Sequence, residues 1–185
     1  MASASKIVVL DRDGVINEES SEFVKSVPEW RPIRGSLRAI ARLNAAGFRV
    51  AVVTNQSGVA RGLLSEETLL AIHRHMEAAV ELAGGQLTGI YYCPHHPDDG
   101  CECRKPRSGL LRRLERDLGC SLEGAPFVGD KVSDVLAAEA VGARPILVRT
   151  GRGAAAERML RGRSVEVFDD LEDVASALVT EAEGS

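Results

Sequence analysis

Short runs of aliphatic residues alternate along this chain with longer stretches in which apolar positions recur every three or four residues. The first run is Ile7-Val8-Val9-Leu10, four apolar residues of which three are β-branched. That is the pattern of a strand buried on both faces. Residues 48–53, 90–92, 126–128, 145–148 and 165–168 repeat it and predict five further strands. Between them lie helical stripes. Leu37, Ile40, Ala41 and Leu43 predict a helix over 35–46 that Gly47 closes, and Ser65-Glu66-Glu67 caps a second. Leu69, Ile72, Met76, Ala79 and Ala83 line the second helix, and Gly84-Gly85 stops it. Further helices are expected over 108–118, 135–141 and 170–179, with the last six residues frayed. Residues 18–33, broken by Pro28 and Pro32, read as a long loop that Trp30 anchors to the core, and 58–64 as a mobile loop bounded by glycines. Strands alternating with helices predict an α/β fold: a doubly wound, Rossmann-like parallel sheet with right-handed crossovers.

The length of 185 residues suits a single domain over 1–185, and 44% hydrophobic residues suffice for a substantial core. With 23 basic against 27 acidic residues and 4% aromatics, nothing marks a nucleic-acid binder. No apolar run approaches the roughly 20 residues of a membrane span, and residues 1–6 lead straight into the first strand. A cytoplasmic protein without membrane or nucleic-acid partners is expected. Three of the four cysteines, at 93, 101 and 103, sit close together, which in a reducing compartment favours a metal over cross-links.

The strand ends carry the candidate chemistry. Asp11 and Asp13 follow the first strand, Thr54 and Asn55 the second, and Asp130 and Asp134 the fourth. Ligands of an open parallel sheet bind beyond these carboxyl ends. Two acids as close as Asp11 and Asp13 repel unless a cation lies between them, which suggests Mg²⁺, although an isolated pair also suits a solvated Asx-type turn. Cys93-x-His95-x₅-Cys101-x-Cys103 offers three thiolates and an imidazole, the donors of a closed tetrahedral Zn²⁺ site. Free thiols and a disulfide are the alternatives, and a bridge from Cys101 to Cys103 would be strained. A clamped loop over 93–103 would hold Arg104 and Lys105 over the strand ends. His96 and Cys120 fall outside this set, and His73 and His75 read as surface or boundary residues.

The order Asp11-x-Asp13, Thr54, Lys105, Asp130 with Asp134 resembles the phosphatase branch of the haloacid dehalogenase superfamily, from Val8 to about Val148. The resemblance implies Asp11 as nucleophile, Asp13 as general acid/base, Thr54 on the phosphoryl oxygens and Lys105 as the neutralising cation. It implies Mg²⁺ on Asp11, Asp130 and the Asp13 carbonyl, with Asp134 orienting Lys105. Asn55, Gln56, Ser57, Arg104 and Lys131 would bind substrate. The intervals between these residues leave no room for a large cap domain, so loops 18–25, 58–62 and 95–104 would choose the substrate. The zinc loop ending in Cys-Arg-Lys-Pro narrows the resemblance to phosphatases of a heptose bisphosphate in lipopolysaccharide core synthesis and of histidinol phosphate. Residues 55–62 and Gly129-Asp130-Lys131-x-x-Asp134 lean to the first, while the compact zinc loop is like the second. A zinc-stabilised, non-catalytic binding module is the alternative of another class, and the presence of both Asp11 and Asp13 weighs against it. A monomer acting on a small phosphorylated molecule is expected.

Overall fold

Each apolar run forms a strand in the computed structural model, which describes residues 6–184. The strands are β1 (Ile7–Leu10), β2 (Arg49–Asn55), β3 (Gly89–Cys93), β4 (Pro126–Gly129), β5 (Arg144–Val148) and β6 (Glu166–Phe168). The helices are α1 (Ser36–Ala45), α2 (Glu66–Leu82), α3 (Gly109–Leu118), α4 (Val132–Glu139), α5 (Gly153–Met159) and α6 (Leu171–Glu183). All pairings are parallel and the spatial order is β3-β2-β1-β4-β5-β6.

Alternation along β1 builds the two cores. Val8 and Leu10 pack into a layer with Ile40 and Leu43 of α1, Ile72 and Met76 of α2 and Val174 of α6. Ile7 and Val9 face the opposite layer, with Leu111 and Leu114 of α3, Phe127, and Ala137 of α4. A strand covered on both faces has no reason to alternate in polarity, which is why β1 reads as an unbroken apolar run. The chain builds β1, β2 and β3 to one side, then returns to place β4 on the other side of β1. The strand order therefore reverses between β1 and β4, and the crevice at that reversal is where a doubly wound sheet takes its ligands.

Three local expectations need correction, and one helix went unpredicted. Helix α5 was not legible: its sequence Gly-Ala-Ala-Ala-Glu-Arg-Met carries no apolar stripe, and only Gly153 and Ala156 of it are buried. Helix α4 starts at Val132 rather than 135, because the Asp134 carboxylate accepts the backbone N–H groups of Asp130 and Lys131 and so nucleates the first turn. The C-terminal helix does not fray after Val179. It continues to Glu183, its last turns tied by Thr180 Oγ1 donating to the Ser176 carbonyl and by Glu181 pairing with Arg144 at 2.7 Å. His73, expected at the surface or boundary, is buried at 4% exposure with its ring against Arg12. Trp30 does anchor the long loop, buried with a T-shaped contact to His75. The lead-in over residues 1–5 and the terminal Ser185 lie outside the described residues.

Candidate active site and metal centres

The sheet delivers Asp11 and Asp130 side by side because β1 and β4 are neighbours. The Asp11 N–H still donates to the Val128 carbonyl at 2.9 Å, so the site begins where the ladder ends. Asp11 Oδ1 accepts from the Arg12 N–H at 2.8 Å and from Lys105 Nζ at 3.0 Å, and Oδ2 faces Lys131 Nζ at 3.5 Å. Burial opposes ionisation of Asp11, but Lys105 and Lys131 outweigh it and hold the carboxyl below its ordinary range. Lys105 is itself buried, its Nζ held by Asp134 at 2.7 Å and the Val53 carbonyl at 2.8 Å. Burial works against its charge too, yet Asp11 and Asp134 raise its pKa.

Asn55 clamps Lys105 from below. Its side chain donates to the Lys105 carbonyl at 3.1 Å and accepts the Lys105 N–H at 3.0 Å. Thr54 is fully buried and accepts from Gln56 Nε2 at 2.9 Å. The same Gln56 nitrogen donates to Asp13 Oδ2 at 2.7 Å, so one amide spans the ends of β1 and β2. Asp13 also accepts from Arg12 Nη2 at 2.9 Å and from Asn17 Nδ2 at 2.9 Å. Burial would raise the Asp13 pKa, but the Arg12 guanidinium holds it below the usual range. Arg12 is wholly buried. Its other contacts are Gln56 Oε1 at 3.1 Å and the His73 ring at 3.3 Å. Burial, with Arg12 beside it, draws His73 down to about 3, leaving a neutral ring to face the guanidinium.

Asp130 lies under the site, completely buried, and burial with the nearby Asp11 charge pushes its carboxyl up to about 7. Two glycines cup it. A Cβ on Gly14 would come within 2.0 Å of Asp130 Oδ2, and one on Gly151 within 2.3 Å. Both have positive φ, +83° and +58°, so both the turn and the close approach need glycine. Asp130 Oδ2 accepts the Arg152 N–H at 2.9 Å, and Thr150 Oγ1 ties the next loop to the Gly14 carbonyl at 2.6 Å.

These residues wall a cavity of about 340 Å³. Asp11, Asp13, Asn55, Gln56, Ser57, Arg104, Lys105, Lys131 and Asp134 line it; Thr54 and Asp130 lie beneath its surface. The long loop adds Glu19 and Phe23, and the following loops add Arg61 and Arg152. Arg104 Nη1 is buried without a partner, a cationic donor left over for a ligand. The carboxylates of Asp11, Asp130 and Asp134 bring oxygens within 4.8 Å of one another. Asp134 is already committed to Lys105 and two backbone N–H groups. The Lys131 ammonium draws together Asp11 Oδ2, the Asp13 carbonyl at 3.3 Å and Asp130 Oδ1. One cation thus already collects the all-oxygen donor set that suits Mg²⁺, so these residues fit that ion.

The second cluster forms as the loop leaving β3 folds back. Cys93 Sγ lies 3.2 Å from Cys103 Sγ, 3.6 Å from Cys101 Sγ and 3.5 Å from His95 Nδ1. His95 Nδ1 lies 3.1 Å from Cys103 Sγ, and Cys101 Sγ lies 3.5 Å from Cys103 Sγ. None of the four cysteines is disulfide-bonded. A tetrahedron with metal–sulfur distances of about 2.3 Å has edges of about 3.8 Å, so these donors converge as a Zn²⁺ shell requires. Burial pushes the Cys93 thiol up to about 12. Burial also opposes ionisation of Cys101, but hydrogen bonds from Cys103, the Arg104 backbone and Cys93 together outweigh it and bring that thiol to about 7. His96 instead caps a 3₁₀ turn over Pro97–Asp99 and is no part of the cluster.

Sequence reasoning missed Arg12, Glu19, Gly151 and Arg152. Arg12 had a signal in its position between Asp11 and Asp13. Glu19 and Arg152 had none, since only tertiary structure brings their loops to the strand ends.

Comparison with known proteins agrees with this fold. Residues 102–174 match the protein-family model described as "HAD-hyrolase-like". A D-glycero-beta-D-manno-heptose-1,7-bisphosphate 7-phosphatase from Pseudomonas putida is 50% identical over 177 residues, covering 94% of this chain and 99% of that protein. The crystal structure of D,D-heptose 1,7-bisphosphate phosphatase from B. bronchiseptica, complexed with magnesium and phosphate, superposes with a TM-score of 0.92. It is 46% identical, over 95% of this chain and 99% of that one. The corresponding Burkholderia thailandensis structure gives a TM-score of 0.75 at 37% identity, over 95% of this chain and 99% of that one.

Proposed function

This chain belongs to the family of HAD-like hydrolases that includes the heptose bisphosphate phosphatases, and we propose that it removes the 7-phosphate of D-glycero-β-D-manno-heptose 1,7-bisphosphate. The product would feed nucleotide-heptose and lipopolysaccharide core synthesis. The observation that carries this reading is the Asp11 carboxylate, kept ionised between Lys105 and Lys131 beside Asp13, at the strand reversal of a chain so similar to named phosphatases. We further propose Mg²⁺ on Asp11, Asp130 and the Asp13 carbonyl, Zn²⁺ on Cys93, His95, Cys101 and Cys103, and a monomeric, single-domain, cytoplasmic enzyme. No helix among the described residues is long and apolar enough to cross a membrane.

The chemistry divides one hydrolysis into two displacements. An Asp11 oxygen attacks phosphorus and the bond to the sugar O7 breaks, leaving an aspartyl-phosphate. Asp13 gives that O7 its proton, for which it must carry one and leave the Arg12 fork. Water then attacks the same phosphorus, Asp13 takes its proton, and the bond to Asp11 breaks to free phosphate. Bound Mg²⁺ would supply the positive charge that lets a carboxylate approach a dianionic phosphate. Lys105 and the Thr54 hydroxyl would hold the equatorial oxygens. Arg104, with its unpartnered Nη1, would hold the phosphate that stays, and Asn55, Gln56, Ser57 and Lys131 complete the binding surface.

Phosphorus NMR of the Mg²⁺-loaded enzyme with the β-bisphosphate tests this reading. Loss of the C7 resonance with the C1 resonance retained is the expected result. Loss of C1, or turnover of histidinol phosphate in preference, would contradict it.

A further inference from the structure

Lys131 and a divalent metal claim the same three oxygens. The ammonium touches Asp11 Oδ2, the Asp13 carbonyl and Asp130 Oδ1, and these are the donors assigned above to Mg²⁺. A lysine Nζ and a metal cannot share that space. The same ammonium has a fourth partner outside the acid cluster, Glu19 Oε2 at 3.0 Å, on the long loop after β1. Glu19 is well placed to take it over. Its other oxygen receives Arg152 Nε at 3.1 Å, so the carboxylate is already fixed at the cavity wall, with its side chain only 18% exposed.

We propose that Lys131 is a built-in counter-ion of the acid cluster that the metal displaces onto Glu19, so that metal loading and delivery of this ammonium to the cavity are one event. The inference rests on reading the cluster as a divalent-metal site. Three observations carry it beyond that reading. Asp11, Asp130 and Asp134 lie together below the surface, and like charges so close cannot all remain ionised without cations among them. Lys105 answers for Asp11 and Asp134 but makes no contact with Asp130, whose ion-pair partner is Lys131. Lys131 also lines the cavity and keeps 29% of its side chain exposed, so its Nζ can move along the wall without crossing the core. Held on Glu19 alone, it would face an incoming phosphate instead of the carboxylates. The proposal makes Lys131 a positioning residue whose effect is read in metal affinity.

The test is Mn²⁺ binding to chelator-treated protein, by calorimetry and by electron paramagnetic resonance, with thermal melts of each protein with and without the ion. Lys131→Met should bind Mn²⁺ more tightly than the natural protein by about five-fold, the scale of one lost competing ion pair. It should also melt lower without metal. Glu19→Gln, which leaves the cluster itself untouched, should bind Mn²⁺ more weakly by a few-fold and serves if the Met variant folds poorly. Arg152→Met removes the same charge from the same Glu19 without touching the cluster oxygens, and should change affinity least. An unchanged or weaker affinity in Lys131→Met overturns the proposal. So does an Arg152→Met effect equal to it, which would show a general charge effect. Asp130→Asn separates the two readings: if it binds Mn²⁺ as well as the natural protein does, the metal site falls and this inference with it.

Discussion

Arg12 sits between the two acids that define the site, yet it points into the protein rather than at a ligand. Its guanidinium has three side-chain neighbours, Asp13, Gln56 and the His73 ring, and its side chain is buried. A buried arginine is tolerated where every donor finds an acceptor, and the neutral His73 is part of that arrangement. His73 is a base whose folded pKa, about 3, lies below its unfolded value of 6.5. Such a group leaves stability intact above pH 6.5 and removes it as pH falls, because the unfolded chain takes up a proton that the folded one refuses. By pH 4.5 this amounts to about 2–3 kcal/mol. His73→Gln keeps an acceptor for Arg12 without the titration, so urea midpoints at pH 7 and 4.5 should fall less for the variant than for the natural protein. Equal losses would contradict the assignment. Gly14 is the other decisive residue: Gly14→Ala forces both a positive φ and a clash with Asp130. Turnover and Mn²⁺ binding should fall about hundredfold, the size expected when a catalytic group is moved by an ångström, while circular dichroism is unchanged.

At the scale of elements, the sequence was most readable where burial is complete. The strands announced themselves because unbroken β-branched runs have few other uses in a short chain. Asp11, Asp13, Asp130 and the Cys93, His95, Cys101 and Cys103 cluster were legible because each follows such a run directly or shares a tight spacing. Helix α5 was not, since a Gly-Ala segment carries no stripe to read, and Gly151 and Arg152 at its start were lost with it. Arg12 and His73 were hidden for a related reason: a charged or polar residue reads as exposed until its partners are known. The loop that carries the Cys/His cluster leads directly into Arg104 and Lys105, with the Gly109 N–H donating to the Glu102 carbonyl at 3.0 Å to close its base. Cys101→Ser should lower bound zinc from one per chain to little or none. It should also destabilise the protein by about 3 kcal/mol, as removal of a constraint of this kind does. Zinc retained in full by elemental analysis would remove that site from the account.

The whole molecule is a sheet whose reversal point decides where chemistry can occur. Putting β1 beside β4 sets Asp11 next to Asp130, and putting β2 on the other flank sets Val53 and Asn55 against Lys105. Segments after β1, β2, β3, β4 and β5 wall the cavity in place of a large cap, so the site stays open to a small phosphorylated sugar. The fold alone would serve many reactions. The proposed phosphatase chemistry rests on an Asp11 carboxylate held by Lys105 and Lys131 with Asp13 beside it. The most direct measurement is phosphate release from D-glycero-β-D-manno-heptose 1,7-bisphosphate by the natural protein and by Asp11→Asn, each with and without Mg²⁺. The account predicts one phosphate per substrate from the natural protein, dependent on Mg²⁺, and no turnover by a folded Asp11→Asn variant. Appreciable release by that variant, or none by the natural protein with Mg²⁺ present, would contradict it.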